Sequence, residues 1–216
     1  TSPSHILLLN PYLTFETGTP GTDAEGGIMR SLGAGKLLLY VGHQNSTESA
    51  SAGDLRVSNG YLEQNNPVEA IYGFGNMAFG ASLSYVDNKA TKTKESTVVA
   101  KWGMNMDNNW VYAHLFLFSN AEKDTAGHKD KIDAFPYLKG GASFQLASQF
   151  RLFGELVYGQ AKDKLTAVDN DIKDTNLSVG IEDRSLKTDT VDIYYGIMGF
   201  YAKREVESKD ISAYKL

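Results

Sequence analysis

Cysteine is absent from this sequence, which excludes both a disulfide framework and a thiolate metal site. Proline is scarce, with 5 residues in 216, whereas the chain holds 21 glycines, 12 tyrosines and 10 phenylalanines. Aromatic side chains fit the pleated surface of a strand well, so this balance predicts an all-β protein. The length is that of one domain, and we expect residues 1–216 to form a single unit.

Long apolar runs are also missing. The longest are Ile6 to Leu9 and Leu37 to Val41, far short of the roughly 20 residues that a membrane-spanning helix requires. A membrane-spanning strand needs only every second residue to be apolar, so this absence excludes the helix and not the strand. The net charge of -5 comes without a basic stripe, and we therefore expect no nucleic-acid partner.

Hydrophobic residues recur instead with a period of two. In Met77 to Tyr85 the larger residues alternate with Ala78, Gly80 and two serines. A helix would scatter the larger set around its circumference, whereas a strand gathers it on one apolar face. The same pattern recurs along the chain, and we expect no helix. It predicts about twelve strands, near residues 6–17, 24–32, 34–44, 67–75, 77–87, 95–105, 109–118, 131–147, 149–163, 173–185, 189–205 and 209–216. Residues 50–66 form a long loop, or else Leu55 to Gln64 extend the strand that follows.

The connections between these strands alternate in length. Residues 75–76, 107–109, 147–149 and 185–189 are short and turn-like, whereas 87–95, 119–131, 161–174 and 203–210 are longer and rich in charged residues. Bacterial outer-membrane barrels have tight turns on one side of the membrane and long loops on the other. The alternation therefore predicts an antiparallel, up-and-down transmembrane β-barrel.

Alternation alone does not say which face points inward. A soluble barrel of twelve strands would enclose more space than side chains can fill, which favours the membrane barrel with its apolar face outward. Aromatic residues near strand ends are also typical of interfacial girdles. They are Tyr72, Phe74, Tyr85, Trp102, Trp110, Tyr112, Phe118, Phe150 and Tyr158. The alternative is a soluble secreted β-sandwich that binds a ligand and has aromatic residues simply because they suit strands.

Several segments resemble a known family. They are Leu9-Asn10-Pro11 leading into Tyr12 to Glu16, Ala24 to Leu32, the Asn65 to Tyr85 hairpin, and the pair Asn176 to Arg184 and Asp189 to Lys203. These segments resemble porin-like outer-membrane barrel proteins of predatory δ-proteobacteria. The resemblance implies a location in the bacterial outer membrane and a pore or structural role, and it transfers no site residues. Such barrels usually end on an aromatic residue; Leu216 stands in that place here, so we treat twelve strands as a lower limit.

Catalytic and metal-binding patterns are weak. The four histidines, His5, His43, His114 and His128, are dispersed and lack metal-ligand spacing. His114 shares a predicted strand with Trp110 and Tyr112, which favours a lumen or interface residue over a catalytic base. We therefore expect no enzymatic activity, no cofactor and no metal.

Charged residues also recur on the face opposite the apolar one. Inside a barrel they would line a wet pore, with cations facing anions across it. The alternative is a cross-strand charge network that fills the lumen and only stabilises the barrel. These candidate lumen-lining residues are Lys36, Glu69, Lys101, Lys139, Arg151, Glu155, Glu182, Arg184 and Asp192.

Two predicted strands are apolar on both faces, which a simple water-filled barrel does not require. They are Val111 to Phe118 and the strand that carries Ile193 to Phe200. Either the interior is dry there or part of the wall meets another copy, so we expect a homo-oligomer in contact with membrane lipids. The sequence thus favours a porin-like channel for passive diffusion of small hydrophilic solutes. The alternative is an oligomeric structural protein that organises or encloses membrane lipid without catalysis.

Overall fold

A computed structural model of the chain describes residues 3–16, 25–42, 67–125, 128–165, 168–187, 192–206 and 209–215. Within these residues, twelve strands form one sheet, and each strand pairs antiparallel with the next along the chain. The strands are β1 (Tyr12–Glu16), β2 (Glu25–Leu32), β3 (Gly35–Val41), β4 (Val68–Phe74), β5 (Met77–Asn88), β6 (Thr93–Met106), β7 (Asn109–Thr125), β8 (His128–Gln145), β9 (Phe150–Leu165), β10 (Val168–Lys187), β11 (Asp192–Val206) and β12 (Lys209–Lys215).

The all-β class and the twelve consecutive antiparallel strands are confirmed. The predicted first strand, residues 6–17, is wrong in its first half, because Pro3–Leu8 forms a 3-10 helix and β1 begins only at Tyr12. This helix places Ile6 against Met29 and Ile71 on the sheet, a position that a pairing strand could not take. Residues 43–66, which include the ambiguous stretch 50–66, lie outside the described residues.

Tight turns join the strands at one end of the sheet, which we call the short-turn end. Gly33-Ala34, Gly75-Asn76 and Asp107-Asn108 are two-residue turns, and residues 146–149 connect β8 to β9. Gly33 and Gly75 have φ angles of 59° and 58°, and Asp107 has 56°. The left-handed region suits such hairpin turns and favours glycine, or else asparagine or aspartate.

Three of the four predicted long loops at the other end, 119–131, 161–174 and 203–210, are wrong, and the fourth, 87–95, is shortened to residues 89–92. Strand β7 continues to Thr125 and β8 begins at His128; β9 continues to Leu165 and β10 begins at Val168. The charged residues pair across strands: Glu122 lies opposite Lys131, and Lys162 opposite Asp171. Opposite charges in register stabilise antiparallel pairs, so the change in composition marks hairpin extensions rather than loops.

The two faces of the sheet differ in a consistent way. On β5, Ala78, Ser82 and Ser84 are buried, whereas Phe79 and Leu83 are exposed. Across the described residues, one face carries most of the buried polar side chains and the other carries most of the exposed large apolar ones. A single-layered sheet can bury one face only by curving toward it, so the buried face is the concave one. The large residues on the exposed face include Leu13, Phe15, Ile28, Leu39, Val68, Phe79, Leu83, Tyr85, Leu115, Leu138, Leu156, Leu177, Val179, Ile181 and Ile197.

The aromatic residues predicted near strand ends lie on both faces of the sheet. Tyr85 and Phe74 are exposed on the apolar face, at 63% and 42%. Trp110 and Tyr112 lie on the buried face instead, as their register opposite Ser143 and Gly141 requires. A two-residue period separates the two faces but does not say which of them is buried, which is why these two rings were assigned to the wrong face.

A substitution at Gly80 tests how closely strand β5 packs against strand β4. A Cβ atom at Gly80 would lie 2.7 Å from Ile71 Cγ1 and 2.8 Å from the Ala70 carbonyl oxygen, whereas one at Gly140 would meet nothing closer than the Tyr112 carbonyl oxygen at 3.5 Å. We expect Gly80→Ala to lower the free energy of unfolding by about 1–3 kcal/mol through overpacking. Gly140→Ala is the control and stays within about 0.5 kcal/mol. Urea unfolding of the two variants and the parent measures both changes, and equal stabilities would contradict this packing.

Candidate functional site

The candidate lumen-lining residues share the buried face wherever the structure describes their side chains. Lys36, Glu69 and Lys101 lie on β3, β4 and β6; Lys139, Arg151, Glu155 and Glu182 lie on β8, β9 and β10. The backbones of Arg184 and Asp192 belong to β10 and β11, and their side chains lie outside the described residues. Six of these seven residues form three groups of contacts, and Lys36 lies apart from them.

The first group is an ion pair that crosses a whole strand. Lys101 on β6 donates to Glu69 on β4, and only 6% and 11% of their side chains are exposed. The intervening strand β5 presents Gly80 opposite Lys101 and Ser82 opposite Glu69. These small residues leave room for the two long side chains to meet above them. Pairing offsets the large cost of burying each charge.

The second group repeats the same construction between β7 and β9. The Tyr112 hydroxyl donates to the Glu155 carboxylate across Gly141, which lies between them in register on β8. Lys139 Nζ lies 3.1 Å from the same carboxylate. Glu155 therefore binds a phenol and an ammonium together. Gly141 is needed because a Cβ there would lie 2.5 Å from the Tyr112 ring.

The third group lies at the short-turn end. Arg151 on β9 is directly opposite Glu182 on β10, and its guanidinium donates a long hydrogen bond of 3.5 Å to the Asn108 carbonyl. Lys36 does not reach these residues. Its ammonium donates to the carbonyl oxygens of Leu7 and Leu9, at 2.7 and 2.5 Å.

The 3-10 helix Pro3–Leu8, which we call the plug, occupies the concave face at the short-turn end. It lies against strands β3 to β7. Ile6 is 4% exposed and packs with Met29, Leu38 and Ile71. The plug rests directly on Gly73, where a Cβ would be 2.8 Å from Leu7 Cδ2. It therefore covers the concave face over strands β3 to β7.

Polar contacts hold both ends of the plug. Ser4 Oγ donates to Asn105 Oδ1 at 2.8 Å, and Asn105 Nδ2 donates to the Ser4 carbonyl at 2.9 Å. At the other end, Lys36 binds carbonyl groups that a helix terminus leaves without an internal partner, where a cation is favourable. The plug is thus fixed to β3 and to β6.

The His5 ring adds an aromatic contact to the plug. It meets the Trp110 indole edge to face, with 5.6 Å between ring centroids. Burial lowers the pKa of His5 below its ordinary value. The neutral ring is therefore the form that packs on Trp110 at neutral pH.

Sequence reasoning missed two features of this face. One is the plug with its partner Asn105, because no local pattern links Ser4 to a residue 101 positions away. The other is the ion pair of Arg204 with Asp174, at 3.0 Å, in which Asp174 is 3% exposed. Both residues fell where a predicted strand overlaps a predicted loop, although the even-numbered period that carries Glu182 and Ser178 continues through Asp174.

The part of the chain that the structure describes contains no group of His, Asp or Glu residues that could hold a metal ion. Nor does it contain a helix long and apolar enough to cross a membrane. No protein-family model, no curated protein and no solved structure matches the sequence. The resemblance to porin-like barrel proteins therefore stays a prediction.

The buried ion pair gives a stability prediction. Glu69→Gln removes the carboxylate that faces buried Lys101, and we expect a loss of about 3–5 kcal/mol in the free energy of unfolding. Adding Lys101→Met should restore a large part of that loss, because the buried charge is removed too. Lys94→Met is the control: its pair with Asp87 is 3.8 Å long and Lys94 is 61% exposed, so the change is within about 0.5 kcal/mol. Losses that simply add in the double variant would contradict the pairing.

The absence of cysteine makes the position of the plug testable with a single thiol. We expect a maleimide to label Ile6→Cys slowly and Leu8→Cys rapidly, because their exposures are 4% and 73%. Lys36→Met together with Asn105→Ala removes hydrogen bonds at both ends of the plug, so labelling at position 6 should accelerate at least about tenfold. Equal labelling of the two thiols in the parent protein would show that the plug does not occupy this face.

Proposed function

We propose that this protein is a porin-like β-barrel of the bacterial outer membrane that allows passive diffusion of small hydrophilic solutes. One observation carries the proposal: charged and hydroxyl side chains are buried on the concave face, whereas leucine, isoleucine and phenylalanine side chains are exposed on the convex face. Water-soluble sheets arrange these residues in the opposite way. Lipid outside and water inside would satisfy both faces.

The exposed apolar residues form a band of limited height. On β5 the exposed face is apolar from Met77 to Tyr85 and becomes charged at Asp87. That stretch rises about 27 Å along the strand. At the usual strand tilt of about 40° this is about 21 Å along the membrane normal, slightly less than the roughly 25 Å band of outer-membrane barrels. On β10, Leu177, Val179 and Ile181 are 41%, 47% and 42% exposed, and Lys173 and Asp171 follow on the same face. The charged hairpin extensions would project into water beyond the lipid.

Closure of the sheet is part of the proposal. In the described pairing, β1 and β12 are the two edge strands. In lipid, every backbone polar group must find a partner within the protein, so an open edge would be very costly. Pairing of β1 with β12 would remove both edges and leave an even number of strands, as bacterial barrels have.

A second candidate function rests on β11. Tyr195 and Ile197 on its convex face are 52% and 70% exposed, and Met198 and Phe200 on its concave face are 52% and 38% exposed. An apolar strand with two exposed faces suits contact with lipid or another copy of the chain on both sides. This favours an oligomeric structural protein that organises or encloses membrane lipid.

Conductance across a planar lipid bilayer tests the channel. We expect the purified full chain to give steady single-channel current, and the Lys36→Met, Asn105→Ala variant to give larger current because its plug is released. Lys94→Met, on the exposed face, is the matched control and should conduct like the parent.

If the folded protein inserts into bilayers but gives no current, with the plug released or in place, the channel proposal is refuted. The structural role would then be the remaining proposal. Extraction of the native protein without detergent would contradict both membrane functions.

A further inference from the structure

A cavity of about 370 Å³ opens on the concave face between β7 and β10. It lies at the short-turn end, next to the plug, because Trp110 belongs to its wall and also touches His5. Its size falls within the range of ligand pockets for small molecules, roughly 300–1,000 Å³. The plug covers β3 to β7, so a solute that passes through this end would meet the cavity.

Glycines on neighbouring strands set the aromatic wall of the cavity. Phe153 lies over Gly180, where a Cβ would be 2.5 Å from the ring, and Tyr112 lies over Gly141 in the same way. Any larger residue at either glycine would lift the ring from the sheet. Trp110 and Tyr112 stack obliquely at 5.6 Å between centroids, so three rings surround one opening.

A hydroxyl without a partner lies among these rings. Ser143 is directly opposite both Trp110 and Phe153 in register and is 1% exposed. Its Oγ has no hydrogen-bond partner among the residues that the structure describes. A buried polar atom left unpaired costs about 1–3 kcal/mol, so such a hydroxyl favours a ligand that hydrogen-bonds to it.

The charged side chains of the cavity include both signs. Arg151 supplies guanidinium donors, and Glu155 and Glu182 supply carboxylate acceptors. Lys139 lies 3.1 Å from Glu155 and neutralises it. The remaining Arg151 and Glu182 carry opposite charges and lie opposite each other in register. The cavity thus has many donors and acceptors and no net charge, which disfavours a simple ion as its ligand.

We propose that this cavity binds a neutral saccharide. The rings offer faces for the C–H side of a sugar ring, and Arg151, Glu182 and Ser143 offer hydrogen-bond partners for its hydroxyl groups. An apolar solute would leave the Ser143 hydroxyl without a partner. A simple ion would find no net opposite charge in the cavity. The route into the cavity rests on the proposed channel function, but binding itself can be measured without conduction.

Tryptophan fluorescence of the full chain in detergent tests the assignment. The sequence has two tryptophans, and Trp102→Phe on the convex face leaves Trp110 as the only indole. We expect at least one of glucose, maltose, lactose and chitobiose to change Trp110 emission saturably. Potassium chloride and L-alanine, an ion and a zwitterion, are the comparison ligands. No saturable change with any saccharide overturns the proposal, as does a response to L-alanine or salt alone.

Variants locate the binding in the cavity. Phe153→Ala and Glu182→Gln should each raise the dissociation constant about tenfold, whereas Leu156→Ala on the convex face of β9 should leave it unchanged. Ser143→Ala should weaken binding without lowering the thermal stability, because the hydroxyl has no partner to lose in the folded protein. If Phe153→Ala does not fold, Ser143→Ala still tests whether the saccharide binds in this cavity. Saccharide binding that is equal in all four variants overturns the assignment to this cavity.

The two proposals fail in different ways. If the protein binds saccharide but never conducts, the channel proposal is refuted and the saccharide-site proposal stands. If the protein conducts but binds no saccharide, the saccharide-site proposal is refuted and the channel proposal stands.

Discussion

Two of the buried polar contacts on the concave face depend on pairing across a strand whose own side chain is small. Lys101 reaches Glu69 over Gly80 and Ser82, and Tyr112 reaches Glu155 over Gly141. The small residue has to lie in register beneath the pair. The strand register therefore decides whether each buried charge finds its partner. A slip of one residue would turn these charges to the apolar face and leave them without partners.

The position of the plug likewise depends on a small residue beneath it and on polar partners from other strands. It sits where Gly73 leaves space, and polar groups from β3 and β6 hold its two ends. Ile6 fills the apolar centre formed by Met29, Leu38 and Ile71. Because the plug covers strands β3 to β7, the concave face between β7 and β10 remains uncovered, and the aromatic cavity lies there. A channel built on this face would be narrow, and its selectivity would depend on a few rings and charges.

Much of the strand pattern was readable from the sequence. Met77 to Tyr85 alternates so strictly that strand β5 and the division of its faces follow from the residues alone. Residues 119–131 were misread as a loop because charged side chains suit solvent in either structure. Only the pairing of Glu122 with Lys131 distinguishes a hairpin there. Trp110 and Tyr112 were assigned to an outer girdle for a similar reason, since aromatic residues suit both faces of a strand.

The sequence by itself determined the twelve antiparallel strands and the separation of a polar face from an apolar one. Both follow from a two-residue period, which is a local property of the extended backbone. Only the tertiary structure decided which face is buried, where Pro3–Leu8 lies, and which charges meet. Those outcomes depend on contacts between distant residues, such as Ser4 and Asn105, which are 101 positions apart, and on the space that a glycine leaves on a neighbouring strand.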